Sequence, residues 1–481
     1  MRTPSRLTTR VLSATAVLAL SSTLVAGTAE AGPADTGAKP QKGAAGIGDR
    51  YFPRDGNGGI DVLHYDIHDR YAFGSGRLTG RTTLELRTTE ALSRFNLDFL
   101  LDVSSVRVDG RPAAFDQVGD HELQITPAKP LAEGERVTVR VEYAGTPAEE
   151  SSQGESNWLA DGQEVVAMNE PHMATWWFPA NDHPSDKATY DIAITAPKAK
   201  KVVANGDLVG RRVEGGSATT RWRASEPMAS YLAFFAAGPF EVRTGSTAGH
   251  PWTVAVSKQL PPAQRKDGMA LMLQSGDVTS WLESVLGTYP FSSTGGLMTS
   301  LDVGFALENQ TRPTYPAASS ETTSLVVHEL AHQWFGDSVS VAKWRDIWLN
   351  EGFATYMEAA YAETHGGPTT DAWLRQKYAD LAGNGPFWSV RVSEPGAKRI
   401  FDSAVYDRGG MALAALRNRV GATAFATILR GWAEQHRYGN ASVGEFEAYA
   451  ESVSGQDLDG FFAAWLDART VPAKTAENGL G

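Results

Sequence analysis

The chain has 481 residues, which is long enough for two or three domains with large hydrophobic cores. Its formal net charge of -12 argues against nucleic acid or an anionic membrane as a partner, because both carry negative charge. It contains no cysteine, which excludes disulfide bonds and thiolate ligands to zinc.

The first 31 residues have the three parts of a secretory signal peptide. Three arginines lie within the first ten residues, residues 11–26 are mainly apolar, and Ala29, Glu30 and Ala31 form a small-x-small cleavage site. The apolar stretch is too short and too weakly apolar for a membrane span. We therefore expect a secreted, extracellular protein whose mature chain has no membrane span.

Composition and periodicity divide the rest of the first half into predicted regions. Residues 32–48 are rich in Gly, Ala, Pro and Lys without apolar periodicity, which predicts a flexible leader. Residues 49–242 contain short runs with period-two alternation, such as RVTVRVEYAG, and predict an antiparallel β domain. Within it, residues 166–186 are irregular but rich in aromatic side chains. This favours a functional segment, or a packed loop at the domain interface, over disorder.

From about His250 the pattern becomes helical, and residues 243–475 are predicted to form a mainly α domain followed by a short tail. Apolar spacing near 3.6 predicts a helix over 269–286, and residues 304–309 are strand-like. Further helices are predicted over 349–363, 404–420, 422–436, 443–452 and 458–466, and residues 476–481 form the tail. The predicted fold class is therefore α+β and multidomain.

The sequence HELAH places His328 and His332 four residues apart around Glu329, and Glu351 follows after eighteen intervening residues. Side chains four apart lie on one face of a helix, so both imidazoles can bind one ion. Two histidines and one carboxylate leave a fourth tetrahedral position open, as in a catalytic zinc site. Gly336 is the expected end of this helix. The alternative, a chance grouping on a surface helix, is disfavoured by the apolar residues around the motif.

Five segments together match a known pattern. VVHELAHQWFGD and WLNEGFATY look like a zinc-binding pair, and residues 306–309 look like an exopeptidase motif. IFDSAVYDRG looks like a segment with a catalytic tyrosine, and residues 169–184 are similar in spacing to an acidic β-domain loop. The chain thus resembles the aminopeptidase N family of gluzincin metallopeptidases from about Asp61 to Pro472. The resemblance implies an antiparallel β saddle followed by a thermolysin-like catalytic domain. It also implies a short form without the C-terminal helical domain of larger members, and hence a more open site.

The resemblance and the chemistry of peptide hydrolysis assign roles to five residues. One zinc ion per chain is expected to be bound by His328, His332 and Glu351. Glu329 is expected to take a proton from the attacking water and to deliver it to the leaving amine. Tyr406 is expected to donate its hydroxyl hydrogen bond to the developing oxyanion. A plain core aromatic is the alternative for Tyr406, and its sequence surroundings disfavour it.

The substrate's α-ammonium group needs carboxylate partners. Glu308 is the first candidate and Glu170, from the β domain, is the second, although a structural acid at the interface is the alternative for Glu170. Ala306 and Asn309, in the same motif as Glu308, are predicted to bind substrate as well. An internal peptide bond brings no positive charge, so it would leave both carboxylates desolvated and unpaired.

The sequence therefore predicts a secreted zinc aminopeptidase that acts, as a monomer, on peptides with a free amino terminus. A secreted zinc endopeptidase with the same metal centre is one alternative, favoured by the more open site. A non-catalytic peptide-binding protein is another, and the intact set of site residues argues against it. Phe305 and Leu307 stand where the family motif has Gly and Met, so we expect them to reshape the pocket.

Overall fold

A computed structural model describes residues 39–317 and 322–481, so the predicted signal peptide and residues 32–38 lie outside the described part. The elements of the first half are β1 (Gln41–Lys42), β2 (Ile60–Ala72), β3 (Arg77–Thr88), β4 (Leu92–Asp98), β5 (Asp102–Val108), β6 (Arg111–Pro112), β7 (Ala114–Val118), β8 (Glu122–Thr126), β9 (Arg136–Gly145), β10 (Leu159–Ala160), β11 (Val165–Ala167), α1 (Ala174–Trp177), β12 (Lys187–Pro197), β13 (Lys201–Ala204), β14 (Asp207–Glu214), β15 (Ser217–Ala229) and β16 (Phe235–Gly238).

The elements of the second half are β17 (Phe240–Thr247), β18 (His250–Ser257), α2 (Pro262–Met272), α3 (Ser275–Leu286), β19 (Thr294–Met298), β20 (Thr314–Tyr315), α4 (Thr323–Ala331), β21 (Ser340–Val341), α5 (Trp348–Thr364), α6 (Thr370–Leu381), α7 (Gly385–Trp388), α8 (Ser403–Val420), α9 (Ala422–Gln435), β22 (Asn440–Ala441), α10 (Val443–Ser454) and α11 (Asp459–Phe462). Within the described ranges, no helix is both long enough and apolar enough to cross a membrane.

An eight-stranded sheet with the order β14-β15-β12-β2-β3-β9-β5-β6 forms the centre of the first half. Neighbouring strands are antiparallel, except that β12 runs parallel to β2. In β9 buried and exposed residues alternate, and Val139 lies opposite Leu84 in the core. Two smaller four-stranded sheets complete this half. The predicted order of a β-rich domain followed by a mainly helical one is confirmed.

The prediction of a flexible leader is wrong for residues 39–48. Strand β1 pairs in parallel with β4, and the N–H of Gly43 donates to the carbonyl of Arg94 at 2.8 Å. A Cβ on Gly43 would meet the carbonyl oxygen of Gly58 at 2.8 Å. The small residues here allow close backbone approach to a sheet edge, and the hydrogen bonds order the segment.

Residues 166–186 pack in the interior, as the aromatic content predicted. All of them are buried or partly buried, and they include the end of β11 and the short helix α1. The indole N–H of Trp177 donates to Asp69 Oδ2 at 2.8 Å across the core. This segment brings Glu170 towards the second half of the chain.

The second half contains a mixed sheet that the sequence pattern did not predict. Its order is β17-β18-β19-β20, with β17 antiparallel to β18 and the remaining pairs parallel. The expectation of helical structure from His250 is therefore wrong. The predicted domain boundary at 242 falls inside β17, which belongs to this sheet.

Three further predictions in this half need correction. The helix predicted over 269–286 is two helices, α2 and α3, because the chain turns between Met272 and Ser275. Residues 304–309 are not a strand, although Leu307 forms an isolated bridge with Thr314. The predicted tail is folded, since Leu480 is buried and Asn418 Nδ2 donates to the carbonyl of Gly479 at 3.0 Å.

Candidate metal centre

The end of helix α4 presents the HELAH motif. The helix ends at Ala331, and His332 follows in a helical backbone conformation, with its N–H bonded to the carbonyl of His328. The two imidazoles therefore share one face, as predicted. Gly336 lies five residues beyond the last helical residue, so its prediction as the helix end is wrong.

His328, His332 and Glu351 bring their ligand atoms together. Glu351 Oε2 lies 3.3 Å from His328 Nε2 and 3.5 Å from His332 Nε2. All three ligand atoms lie within 4.8 Å of one another, and all three residues are buried. Zinc bonds of about 2.1 Å at a tetrahedral angle place donor atoms about 3.4 Å apart. The two distances from Glu351 to the histidines are thus those expected for a tetrahedral zinc ion.

The outer nitrogens of both histidines are also held. His328 Nδ1 lies 2.8 Å from Glu358 Oε1, and His332 Nδ1 lies 3.0 Å from the carbonyl oxygen of Phe335. An Nδ1–H donated to these oxygens leaves each Nε2 lone pair free for a metal. Glu358 was not among the residues predicted from the sequence. Its signal was the seven-residue spacing from Glu351 on α5, which puts both carboxylates on one helix face.

Glu329 lies beside the three predicted ligands and lines the same cavity. One of its carboxylate oxygens, a nitrogen of His332 and an oxygen of Glu308 lie within 4.8 Å of one another. Burial raises the pKa of Glu329 to about 8, against the lowering effect of the two histidines. A carboxyl group that titrates near neutral pH is suited to accept and return a proton.

Tyr406, on α8, reaches the site because α5 and α8 cross closely. A Cβ on Gly352 of α5 would meet the Cα of Gly409 of α8 at 2.9 Å, so this crossing requires two glycines. The ring of Tyr406 stacks on that of His328, with centroids 6.0 Å apart. Burial, together with the charge of Glu351, raises the pKa of Tyr406, so its hydroxyl stays protonated as a hydrogen-bond donor.

Glu308 and Glu170 line the cavity from opposite halves of the chain. Glu308 is 2% exposed and accepts a hydrogen bond from the hydroxyl of Tyr231 at 3.2 Å. Glu170 Oε1 is buried and has no hydrogen-bond partner among the described residues. Burial raises the pKa of both carboxyl groups, and the charge of Glu308 raises that of Glu170 further. The structure thus brings both predicted acids into one cavity, where a cation would offset their charge.

Ala306 also lines the cavity, but Asn309 does not. Asn309 is fully buried, its Nδ2 donates to the carbonyl of Leu232 at 3.2 Å, and its Oδ1 accepts from the hydroxyl of Thr314 at 2.9 Å. The side chain of Asn309 therefore does not face the cavity, and its predicted role in substrate binding stays a prediction. Asn309 fixes the turn that holds Glu308.

The cavity has a volume of about 650 Å³, which is enough for several amino-acid residues. Two aromatic side chains that line it are partly exposed, Phe305 at 43% and Phe401 at 39%. Phe305 was expected from the sequence to shape the pocket, whereas Phe401 was assigned no role. Four further residues line the cavity: Leu325, expected from the sequence to lie beside the ligands, and Thr355, Ser403 and Asp407, which were assigned no role. All four lie in or directly beside the quoted motifs, but a motif does not show which of its side chains face the cavity.

Two family profiles match the sequence. The Peptidase M1 N-terminal domain matches residues 62–232, and the Peptidase family M1 domain matches residues 295–465. The first match lies in the β-rich half, and the second contains Glu308, both histidines, Glu351 and Tyr406.

Solved structures share the whole fold. A mutant of the M1 zinc metallopeptidase from Deinococcus radiodurans, bound to a Tyr-Ser-Ala substrate, is 31% identical, with a TM-score of 0.81. The alignment covers 89% of this chain and 99% of that one. A mutant of a two-domain M1 zinc metallopeptidase bound to L-arginine is 30% identical, with a TM-score of 0.80 and coverage of 89% and 99%.

Curated relatives are longer proteins. Aminopeptidase M1-D of Oryza sativa subsp. japonica is 25% identical over 409 residues, which are 78% of this chain and 46% of the relative. Aminopeptidase N of Lactococcus lactis subsp. lactis is 28% identical over 330 residues, which are 64% of this chain and 39% of the relative. The chain thus spans less than half the length of these two relatives.

Proposed function

The chain belongs to the M1 family of zinc metallopeptidases, and we propose on that premise that it is an aminopeptidase that releases single residues from the free amino terminus of peptides. The observation that carries the proposal is the pair of buried carboxylates, Glu170 and Glu308, in the same cavity as the three metal ligands. The names of the relatives in rice and Lactococcus support the same activity.

The charge of the cavity supports recognition of an ammonium group. Among the residues that the structure describes, its lining has no lysine or arginine, and besides Glu170 and Glu308 it contains the acids Glu329, Glu351, Glu358 and Asp407. Placing a charged amine between two desolvated carboxylates offsets the cost of burying them. A peptide bound through an internal segment would leave that cost in place, so the site selects for chain ends.

The site residues divide the work of peptide hydrolysis. Zinc, when bound by the two histidines and Glu351, supplies Lewis-acid polarisation of the scissile carbonyl and of a water molecule. Glu329 accepts the proton of the attacking water and returns it to the leaving amine. The hydroxyl of Tyr406 donates a hydrogen bond to the oxygen on which negative charge develops. Glu308 and Glu170 hold the amino terminus, which fixes the first peptide bond beside Glu329.

The test compares one peptide in two forms, with a free and with an acetylated amino terminus. We expect the free peptide to lose single N-terminal residues, detected by mass spectrometry, and the acetylated peptide to remain intact. Cleavage inside the acetylated peptide at a similar rate would establish an endopeptidase instead.

A variant links this selectivity to the acid pair. We expect Glu308→Gln to lower kcat/KM for the free peptide by at least about 30-fold. This factor is the lower end of the loss observed when one partner of a buried charge pair is removed. Glu394→Gln is the matched control, because Glu394 pairs with Arg391 outside the cavity. Equal kcat/KM values for the two variants would remove the role assigned to Glu308.

We also infer that the protein is secreted. The support is the sequence of residues 1–31, with its basic start, apolar stretch and small-x-small cleavage site. We expect protein recovered from the culture medium of producing cells to begin at Gly32. Retention of the full chain inside the cell, with Met1 or Arg2 at its terminus, would contradict this.

A further inference from the structure

A second group of metal-ligand side chains lies in the β-rich half. Asp98 is the last residue of β4, Glu122 is the first residue of β8, and His121 precedes it at the end of the β7–β8 turn. One ligand atom from each lies within 4.8 Å of the others, and all three residues are buried. None of them lines the cavity described above.

The two carboxylates of this group are incompletely compensated. Asp98 and Glu122 are directly opposite each other in the antiparallel pair of β4 and β8, where like charges are destabilising. They are 1% and 7% exposed. Among the described residues, neither oxygen of Glu122 has a hydrogen-bond partner, and Asp98 Oδ1 has only the ion pair with His121 Nε2 at 3.4 Å. An ionised carboxylate without such partners is costly to bury.

Among the described residues, neither Arg54 nor Arg94 forms an ion pair with Asp98 or Glu122. Arg54 is the basic residue paired in this region, and its guanidinium lies 2.5 Å from Asp120. Arg94 forms no ion pair with Glu122 among the described residues, and its Nε is itself buried without a partner. His121 contributes at most one positive charge against two carboxylates. A divalent cation would balance both.

Two distances in this group are close to those between the ligand atoms of the metal centre in the other half. His121 Nε2 lies 3.4 Å from Asp98 Oδ1, and it lies 3.1 Å from the carbonyl oxygen of Arg54. Tetrahedral zinc places its donors about 3.4 Å apart. His121 Nδ1 lies 3.1 Å from Ser152 Oγ, which can accept its proton and leave Nε2 for the metal.

The other oxygen of Asp98 is held away from the group. Asp98 Oδ2 accepts from Asn57 Nδ2 at 3.0 Å and from the N–H of Asp182 at 2.8 Å. Oδ1 is therefore the oxygen that faces His121, with which it forms the ion pair. An adjoining cavity of about 10 Å³, lined in part by Asp98 and His121, has room for no more than about one water molecule.

We propose that Asp98, His121 and Glu122 bind a second divalent transition-metal ion, with the carbonyl oxygen of Arg54 as the fourth ligand. One imidazole with three oxygens suits Zn²⁺. The absence of room for a substrate makes this a structural site. The ion joins β4 and β8 to the segment that carries Arg54.

Metal analysis tests the proposal. Wild-type protein is stripped with chelator, loaded with Zn²⁺ alone, freed of excess metal, and its zinc is counted. We expect two equivalents in the wild type and one in both Glu122→Gln and His121→Gln. Glu155→Gln is the matched control, since Glu155 pairs with His172 beside the same small cavity, and it should keep two. One equivalent in the wild type, or two in Glu122→Gln, would overturn the proposal.

Thermal unfolding distinguishes metal binding by Glu122 from its absence, because the two cases predict opposite changes in the Tm of Glu122→Gln. If Glu122 binds a metal, Glu122→Gln lowers the Tm of zinc-loaded protein, because the variant loses the stabilisation from binding. If no metal binds, the same variant removes an unpaired buried charge and leaves the Tm unchanged or higher. We expect the lower Tm, with peptide hydrolysis at 25 °C unchanged in rate. An unchanged or higher Tm in zinc-loaded protein would overturn the proposal.

Discussion

Glu358 controls the orientation of a metal ligand without contacting the metal. Its Oε1 lies 2.8 Å from His328 Nδ1, and it sits two turns after Glu351 on the same helix. Partners of this kind fix the tautomer and raise the basicity of the ligand, and their loss typically weakens metal binding by about 10–100-fold. We expect Glu358→Gln to weaken zinc binding by that factor, measured by competition with a chelator.

The control for this variant is Glu363→Gln on the same helix. Glu363 pairs with Arg417 at 2.8 Å and does not line the cavity. The Glu363→Gln variant shows whether loss of any carboxylate on α5 weakens zinc binding. Equal affinities in the two variants would show that the contact between Glu358 and His328 has no effect on the metal.

Tyr406 offers a second test at the scale of single residues. Removal of its hydroxyl takes away one donor to the developing oxyanion, and such a loss typically costs about 10²–10³ in kcat. We expect Tyr406→Phe to show this loss with KM and zinc content close to wild type. Tyr356→Phe is the control, because Tyr356 is buried on α5 outside the cavity. A wild-type kcat in Tyr406→Phe would contradict the assignment.

Lys187 connects the two halves of the chain at the level of elements. From the start of β12, its Nζ donates to the carbonyl oxygens of Asp337 at 2.7 Å and Ser338 at 2.9 Å, in the turn that follows the HELAH motif. Loss of the ammonium leaves buried carbonyls unpaired. We expect Lys187→Met to lower the free energy of unfolding by about 2–4 kcal/mol, measured by chemical denaturation.

Lys200→Met is the matched control for this link. Lys200 also donates to a carbonyl oxygen, that of Gln163, but at an exposed position. We expect it to change the free energy of unfolding by less than about 0.5 kcal/mol. If both variants lowered the free energy of unfolding by similar amounts, the contacts of Lys187 with the metal-binding half would have no special role in stability.

His172 links the segment before β2 to the irregular segment after β11. Its Nε2 lies 2.6 Å from Asp55 Oδ2, and its Nδ1 lies 3.0 Å from Glu155 Oε2. Burial opposes the charged form, but these two carboxylates outweigh it and raise the pKa of His172 to about 10. The folded protein therefore keeps this proton to a higher pH than the unfolded chain, where histidine titrates near about 6.5.

The sign of the pH dependence follows from this difference. The stabilisation by protonated His172 is complete below about pH 6.5 and is lost as the pH rises towards about 10. We expect the difference in free energy of unfolding between wild type and His172→Gln to be a few kcal/mol at pH 6 and to shrink steadily up to pH 10. A difference that stays constant across this range would contradict the ion-pair description.

At the scale of the whole molecule, the metal centre was more predictable than the architecture around it. The positions of His328, His332 and Glu351 follow from helical spacing and the chemistry of zinc, and Tyr406 and Glu308 followed from sequence motifs. Helical spacing from Glu351 would also have predicted the position of Glu358. The position of the Asn309 side chain outside the cavity could not be predicted, because sequence does not show which way a turn residue points its side chain.

The architecture was harder to predict where local pattern and tertiary contacts disagree. All five residues of β19 and the last four residues of β18 are buried, so these strands lack the alternation that reveals a strand. Residues 39–48 have a leader-like composition but pair with the edge of β4. The carboxylates of Asp98 and Glu122 are 24 positions apart in sequence, and only the pairing of β4 with β8 brings them together.

The central claim is that this chain hydrolyses peptides at the HELAH centre with Glu329 as the proton-transfer group. The most direct measurement is kcat/KM of Glu329→Gln on a peptide with a free amino terminus, together with its zinc content and that of wild type. We predict unchanged zinc content and a loss of about 10²–10⁴ in kcat/KM. Zinc-loaded Glu329→Gln that hydrolyses the peptide as fast as wild type would contradict the account.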